Sequence, residues 1–301
     1  MSQGPGEGPA GPGEGAAGPG RGRLIDGRAI AAGITEETAG QAGALRDRGV
    51  IPALAIVVPN DDPGTAWYVR SLQRQAARTL VDCQVRRPAS AAAMLDDLAG
   101  LSADPAVHGI IGQTPLPAGL TPAGAGAAIA VAKDVDGANP ASLGGVAAGV
   151  PGAFAPATAA AVMEILAHEG IDPAGRPAVV VGRSTVVGKP AALLLLAASA
   201  TVTVAHSRTR DLARVGREAE ILVVAAGRPH LIGADHVAPG AVVIDVGTNA
   251  TADGGLTGDV DTAAVRPVAA AVTPVPGGVG PVTTAQLLRQ TVRAAQHASL
   301  G

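Results

Sequence analysis

The clearest chemical signature lies at the end of an apolar run. Ala178-Val179-Val180-Val181 leads into Gly182-Arg183-Ser184-Thr185-Val186-Val187-Gly188, which reads as a strand, a turn and a helix start. Glycines in such a turn let the backbone approach a ligand closely. Free N–H groups at a helix start favour phosphate. Gly182, Arg183, Ser184 and Gly188 are therefore candidate cofactor-binding residues. The spacing departs from Gly-x-Gly-x-x-Gly, so on its own it also describes a plain tight turn. Its place between a buried strand and a helix favours binding. The end of the next strand bears on the nucleotide. An NAD site usually places an acid there for the ribose 2′-hydroxyl. Here Ala205-His206-Ser207-Arg208-Thr209-Arg210 carries no acid. Ser207 can hydrogen-bond a 2′-phosphate, and Arg183, Arg208 or Arg210 can balance its charge. The pattern points to NADP over NAD, although a solvated basic loop would also lack the acid.

Other reactive side chains are sparse. Cys83 is the single cysteine, which excludes an intramolecular disulfide and a thiolate metal cluster within one chain. The six histidines show no ligand spacing, and Asp259 and Asp261 read as a solvated loop pair, so no metal is assigned. Cys83 reads as a small buried hydrophobe, and His230 and His236 as surface loop residues. Formal net charge is -3 and aromatics are 1% of the chain, which leaves neither a basic footprint nor stacking platforms for nucleic acid. No apolar run is long enough to span a bilayer and no secretory leader is evident, so a reducing cytoplasm is expected.

These groups need a scaffold, and 301 residues with 47% hydrophobic content suffice for two domains. Residues 1–23 are nearly all Gly, Pro, Ala and Glu and are expected to form a disordered tail. Beyond them helices and strands alternate. Helices are expected at 28–48, from a Thr65 cap to about Leu80, and at 90–99, 122–131 and 158–168. Strands are expected at 53–58, 81–85 and 108–112, and 138–156 as loop. The second half repeats the alternation with strands at 178–181, 201–205, 221–225 and 241–246. Its helices fall at 188–198 and 210–217, and a last helix spans 283–297. Alternation of this kind implies α/β folding with a doubly wound parallel sheet.

Taken together, these segments resemble the methylenetetrahydrofolate dehydrogenase/methenyltetrahydrofolate cyclohydrolase family over Leu24 to Ala295. The likeness rests on Gly182-Arg183-Ser184 with Val187-Gly188-Lys189-Pro190, and on Ala200-Thr201-Val202-Thr203-Val204 with His206-Ser207-Arg208-Thr209. It extends to Gly240–Gly247, to Gly258-Asp259-Val260-Asp261, and to Pro274-Val275-Pro276-Gly277-Gly278-Val279-Gly280-Pro281-Val282-Thr283. The resemblance implies a three-layer catalytic domain over 24–156, a Rossmann-like NADP domain over 157–282, and a helix over 283–301 returning to the first domain. It also implies a homodimer and a tetrahydrofolate substrate in the cleft. Tyr68 would pack on the aminobenzoyl ring, Gln113 would lie beside the reacting carbon, and Asp136 would hold the pterin. Thr248 would join the cofactor site, and Pro276, Gly277 and Gly278 the substrate site.

The departures from the family matter more. The family lysine four residues after the tyrosine is Leu72 here. Leucine cannot transfer a proton, whereas Arg74 is rotated away and Ser71 could position a water. Ala157 stands in Pro156-Ala157-Thr158-Ala159 where the family has cysteine, and Thr114 replaces a leucine. Hydride transfer needs orientation, whereas hydrolysis needs an activated water. The expectation is an NADP-dependent dehydrogenase with weak or absent cyclohydrolase. The alternatives are full bifunctionality by compensation, a different substrate in a specialised pathway, and a non-catalytic folate- or NADP-binding regulator.

Overall fold

Two parallel sheets organise the chain, and in each the apolar residues alternate between two packed layers. The computed structural model describes residues 22–300; of the tail expected over 1–23, residues 1–21 lie outside them, and Arg23 instead belongs to a strand paired with Ala271. In chain order, β1 (Arg23–Leu24) and α1 (Gly27–Arg46) lead into β2 (Ala53–Val57), α2 (Pro63–Arg78), β3 (Asp82–Arg86), α3 (Ala91–Ala103), β4 (Gly109–Gly112) and α4 (Pro122–Ala127). Next come α5 (Pro140–Ala147), α6 (Ala157–His168), β5 (Pro177–Val181), α7 (Gly188–Ala197), β6 (Thr201–Ala205), α8 (Leu212–Gly216) and β7 (Ile221–Val224). The chain closes with β8 (Val242–Asp245), β9 (Asn249–Ala250), β10 (Leu256–Thr257), α9 (Thr262–Val265), β11 (Ala271–Val272) and α10 (Val279–Ala298).

The small sheet has the order β3-β2-β4 and the large one β1-β11-β8-β7-β5-β6, with all neighbours parallel. A strand buried on both faces reads as a continuous apolar run. On β2, Leu54 and Ile56 pack with α1, α2 and α10, while Ala55 and Val57 face α3 and α4. On β5, Ala178 and Val180 face α1, α6 and α7, while Val179 and Val181 face α8 and α9. Two long helices join the halves. Ile30 and Ile34 of α1 belong to the core of the large sheet, and Ala42 and Leu45 to that of the small one. Val282 and Leu288 divide α10 in the same way. Among the described residues no helix is long and apolar enough to cross a membrane.

Several local expectations are corrected. Asp62, not Thr65, caps α2: its carboxylate accepts the Thr65 N–H at 2.7 Å and the Thr65 hydroxyl at 3.0 Å. Pro63 then sits in the first turn, where its missing N–H costs nothing. The stretch 138–156 is not all loop. Asn139 caps α5 by accepting the Ala141 N–H at 2.8 Å, and Pro140 starts a helix inside the stretch expected to be loop. β1 joins the large sheet beside β11, so the described residues enter the large sheet before they build the small one. The last helix starts at Val279, four residues ahead of expectation.

Candidate active site

Loops at the C-terminal edges of both sheets gather the candidate residues. Gln113 follows β4, and its N–H donates to the Val57 carbonyl at 2.8 Å, which places it at the end of the small sheet. The Thr65 hydroxyl donates to the Thr114 carbonyl at 3.2 Å, and the Asn60 amide to that of Pro115 at 3.1 Å. The first turn of α2 is thereby tied to the Gln113 loop, and Tyr68 follows one turn later. Tyr68 is half-buried and packs against the core behind it. Burial first, and the Asp136 charge second, push its phenol well above the usual range, while a hydrogen bond with the Thr284 hydroxyl of α10 pulls the other way.

Asp136 is half-buried in the loop before α5. Burial, reinforced by the neighbouring Asp134 charge, raises its carboxyl to about 7, although the Ala157 N–H donates to it. Asp134 is fully buried and accepts from Ala138 N–H at 2.9 Å, Asn139 N–H at 2.8 Å and the Ser142 hydroxyl at 2.5 Å. Those bonds fold the loop that presents Asp136. The Gln290 amide of α10 adds bonds to the carbonyls of Val135 at 2.6 Å and Ala155 at 3.2 Å. Sequence reasoning missed both residues; a lone Gln on a distant helix carries no local signal. Tyr68, Gln113 and Asp136 thus border one region. Leu72 lies one turn beyond Tyr68 with no exposed surface, among Val69, Ala76, Ile111, Val135 and Leu288. Ser71 is half-buried and Arg74 exposed.

The cofactor edge is shaped by close backbone approach. Gly182 has φ +135°, and a Cβ there would lie 2.2 Å from the Ala225 carbonyl oxygen. A Cβ on Gly188 would lie 2.3 Å from the Gly182 carbonyl oxygen. The Ser184 hydroxyl accepts from Val187 N–H at 3.2 Å and Gly188 N–H at 3.3 Å, closing the turn onto the start of α7. Arg183 and Ser184 are exposed, as are Ser207 and Arg208 beyond β6. There the Thr209 hydroxyl accepts the His206 N–H at 2.8 Å. This cradle of N–H groups and small residues fits a phosphate chain. Thr248 is exposed at the end of β8.

Beyond β11, Pro276, Gly277 and Gly278 bring the chain to α10. Gly277 has φ +109°, and a Cβ on Gly278 would lie 2.6 Å from the Pro274 carbonyl oxygen. One reading fails here. Asp259 is not solvated: it is fully buried, because its carboxylate accepts three backbone N–H groups. Asp261 caps α9 through the Ala264 N–H at 3.1 Å. Cys83 is half-buried against the small-sheet core, and burial raises its thiol to about 11. A broad concavity lined by Gln73, Cys83 and His108 opens at the N-terminal edge of the small sheet, away from the C-terminal edge where Gln113 lies.

The family model described as tetrahydrofolate dehydrogenase/cyclohydrolase, catalytic domain, matches residues 25–136, and that of the NAD(P)-binding domain matches residues 156–299. The chain belongs to the tetrahydrofolate dehydrogenase/cyclohydrolase family. It is 60% identical over 277 residues to bifunctional protein FolD of Parafrankia sp. (strain EAN1pec), covering 91% of this chain and 99% of that one. Among solved structures it is similar to the bifunctional FolD of Campylobacter jejuni, with TM-score 0.88, 37% identity, and coverage of 91% and 98%. The Trypanosoma brucei FolD complexed with NADP and inhibitor matches with TM-score 0.88 and 35% identity, over 94% of this chain and 100% of that one. The small-sheet half is the catalytic domain of this family and the large-sheet half its NAD(P)-binding domain.

Proposed function

We propose that this chain is an NADP-dependent 5,10-methylenetetrahydrofolate dehydrogenase whose methenyl cyclohydrolase step is weak or lost. The observation that carries the reading is Leu72, a fully buried leucine one helical turn from Tyr68. NADP, when bound, accepts the hydride from the methylene carbon and leaves a methenyl product. The chain's own task in that step is orientation. Asp136 would hold the pterin's amino and ring N–H donors, Tyr68 would pack on the aminobenzoyl ring, and Gln113 would flank the reacting carbon. Pro276, Gly277 and Gly278 would line the same substrate from the other sheet. Gly182, Arg183, Ser184, Gly188, Ser207, Arg208 and Thr248 would hold the cofactor. The T. brucei structure with NADP and the absence of an acid at the 205–210 loop support NADP over NAD. Hydrolysis asks more: a water must add to the methenyl carbon and give up a proton, and Leu72 has no group to take or place it.

Full bifunctionality is the second reading, favoured by a 60% identical relative that bears the bifunctional name. Ser71 or the Tyr68 phenol would then handle the water. Incubation with 5,10-methylenetetrahydrofolate and NADP, following NADPH and methenyl product separately, decides between them. Methenyl accumulation supports the first reading, and prompt conversion to the 10-formyl product the second. Absence of NADPH with folate still bound would indicate another substrate or a regulatory role. A homodimer is also proposed. β6 is an edge strand with Val204 41% exposed, and Leu196 on the adjacent α7 is 60% exposed. Sedimentation at the monomer mass would dismiss it.

A further inference from the structure

The large sheet has a built polar core under its C-terminal edge that the catalytic reading leaves unused. The Asp259 carboxylate accepts from the N–H groups of Ala226 at 2.6 Å, Gly227 at 2.8 Å and Arg228 at 2.8 Å, and from the Asn249 side-chain amide at 2.9 Å. Successive backbone N–H groups form an anion-binding concavity, and here a side chain of the same protein fills it. Asp245 stands behind it. Its carboxylate accepts from Gly247 N–H at 2.9 Å, Asp259 N–H at 3.1 Å and Val260 N–H at 3.0 Å. The Asp245 N–H donates to the buried Thr273 hydroxyl at 2.7 Å. The packing leaves no slack: a Cβ on Gly247 would lie 2.3 Å from the Asp259 carboxyl carbon, and one on Gly258 would lie 1.8 Å from an Asp245 carboxylate oxygen.

These bonds tie together the loops that follow β7, β8 and β11. The sheet order sets what those loops face. The strand order reverses beside β5, and the 2′-group of the nucleotide belongs at the end of β6. The adenosine half therefore lies on the β5–β6 side, and the nicotinamide half on the β7–β8–β11 side. The β11 loop also continues into Pro276–Gly278, the segment assigned to the substrate. We propose that Asp259, backed by Asp245, is a positioning residue for hydride transfer: it locks the three loops that align the nicotinamide against the folate. The proposal rests on the dehydrogenase reading. Asn at position 259 has the size of Asp but presents an amide that donates toward N–H donors, so it breaks the lock without opening a cavity.

The test compares Asp259→Asn with the parent enzyme in two assays, kcat with NADP and methylenetetrahydrofolate, and calorimetric affinity for adenosine 2′,5′-bisphosphate. The proposal expects kcat to fall at least about tenfold. Affinity for the adenosine fragment, which the strand order assigns to the β5–β6 side, should stay within about twofold of the parent, because a merely structural role would not separate the two readouts. Unchanged kcat in the folded variant overturns the proposal, as does a parallel loss of fragment binding. Should Asp259→Asn fail to fold, Asn249→Ala removes one half-buried donor and leaves the backbone bonds. A kcat fall of about threefold with fragment binding intact supports the lock, and an unchanged kcat overturns it. A parent enzyme that binds the fragment but makes no NADPH fails the dehydrogenase reading itself, and the proposal with it.

Discussion

The two halves of the molecule build their proposed ligand sites by different means. In the NAD(P)-binding half the work falls on backbone: Gly182 and Gly188 are required because any Cβ would collide with a carbonyl 2.2 or 2.3 Å away, and carboxylates that face inward hold the loops. In the catalytic half the proposed site rests on the side chains Tyr68, Gln113 and Asp136. A backbone site loses its shape with almost any substitution, whereas a side-chain site can exchange one chemical step for another at a single position. On the proposed reading Leu72 is such an exchange, a fully buried leucine in the core of the small sheet.

The sharpest way to break that contrast is to restore a basic group. Leu72→Lys should raise methenyl hydrolysis by about 10²–10⁴-fold, read as decay of the methenyl absorbance above the buffer rate. It should also lower stability, because an ammonium enters an apolar site. No gain in a folded variant would mean that position 72 does not control hydrolysis. Next in size, Gly182→Ala should weaken NADP binding by about 10²-fold or more, since the backbone must move to avoid both the clash and the strained φ. Calorimetry should show little change in folate affinity; a loss in both ligands would mean that the halves are not independent.

A pH series bears on the catalytic half. Asp136 is raised to about 7 in the ligand-free protein, and pterin N–H donors favour its carboxylate. Binding must then expel a proton below pH 7. Folate affinity should be level above pH 7 and fall toward about tenfold per unit below it. Asp136→Asn should bind more weakly and lose that slope; a flat parent profile would remove Asp136 from the pterin site. The smallest effect concerns the scaffold. Asp62→Ala should cost about 1 kcal/mol of stability by uncapping α2, seen as a lower Tm with little change in kcat.

Much of the catalytic contrast was already present as local pattern. Val179-Val180-Val181 before Gly182 marks a strand and turn because apolar runs and glycines act within a few residues. Leu72 was visible as a departure because the family resemblance implies a lysine four residues after Tyr68. The start of α10 was expected four residues too late, and the helix after Asn139 was expected to be loop. Pro140 and Pro281 look like breakers in sequence, yet each occupies a helix's first turn, where no N–H partner is needed. By itself the sequence determined the alternation of strands and helices, the glycine turn and the lack of a proton-carrying side chain at position 72. Only the tertiary structure decided that β1 pairs with β11, that Gln290 holds the Asp136 loop and that Asp259 is buried under three loops. Those bonds join residues distant in the chain, and their energies depend on burial and geometry that exist only once both sheets have formed.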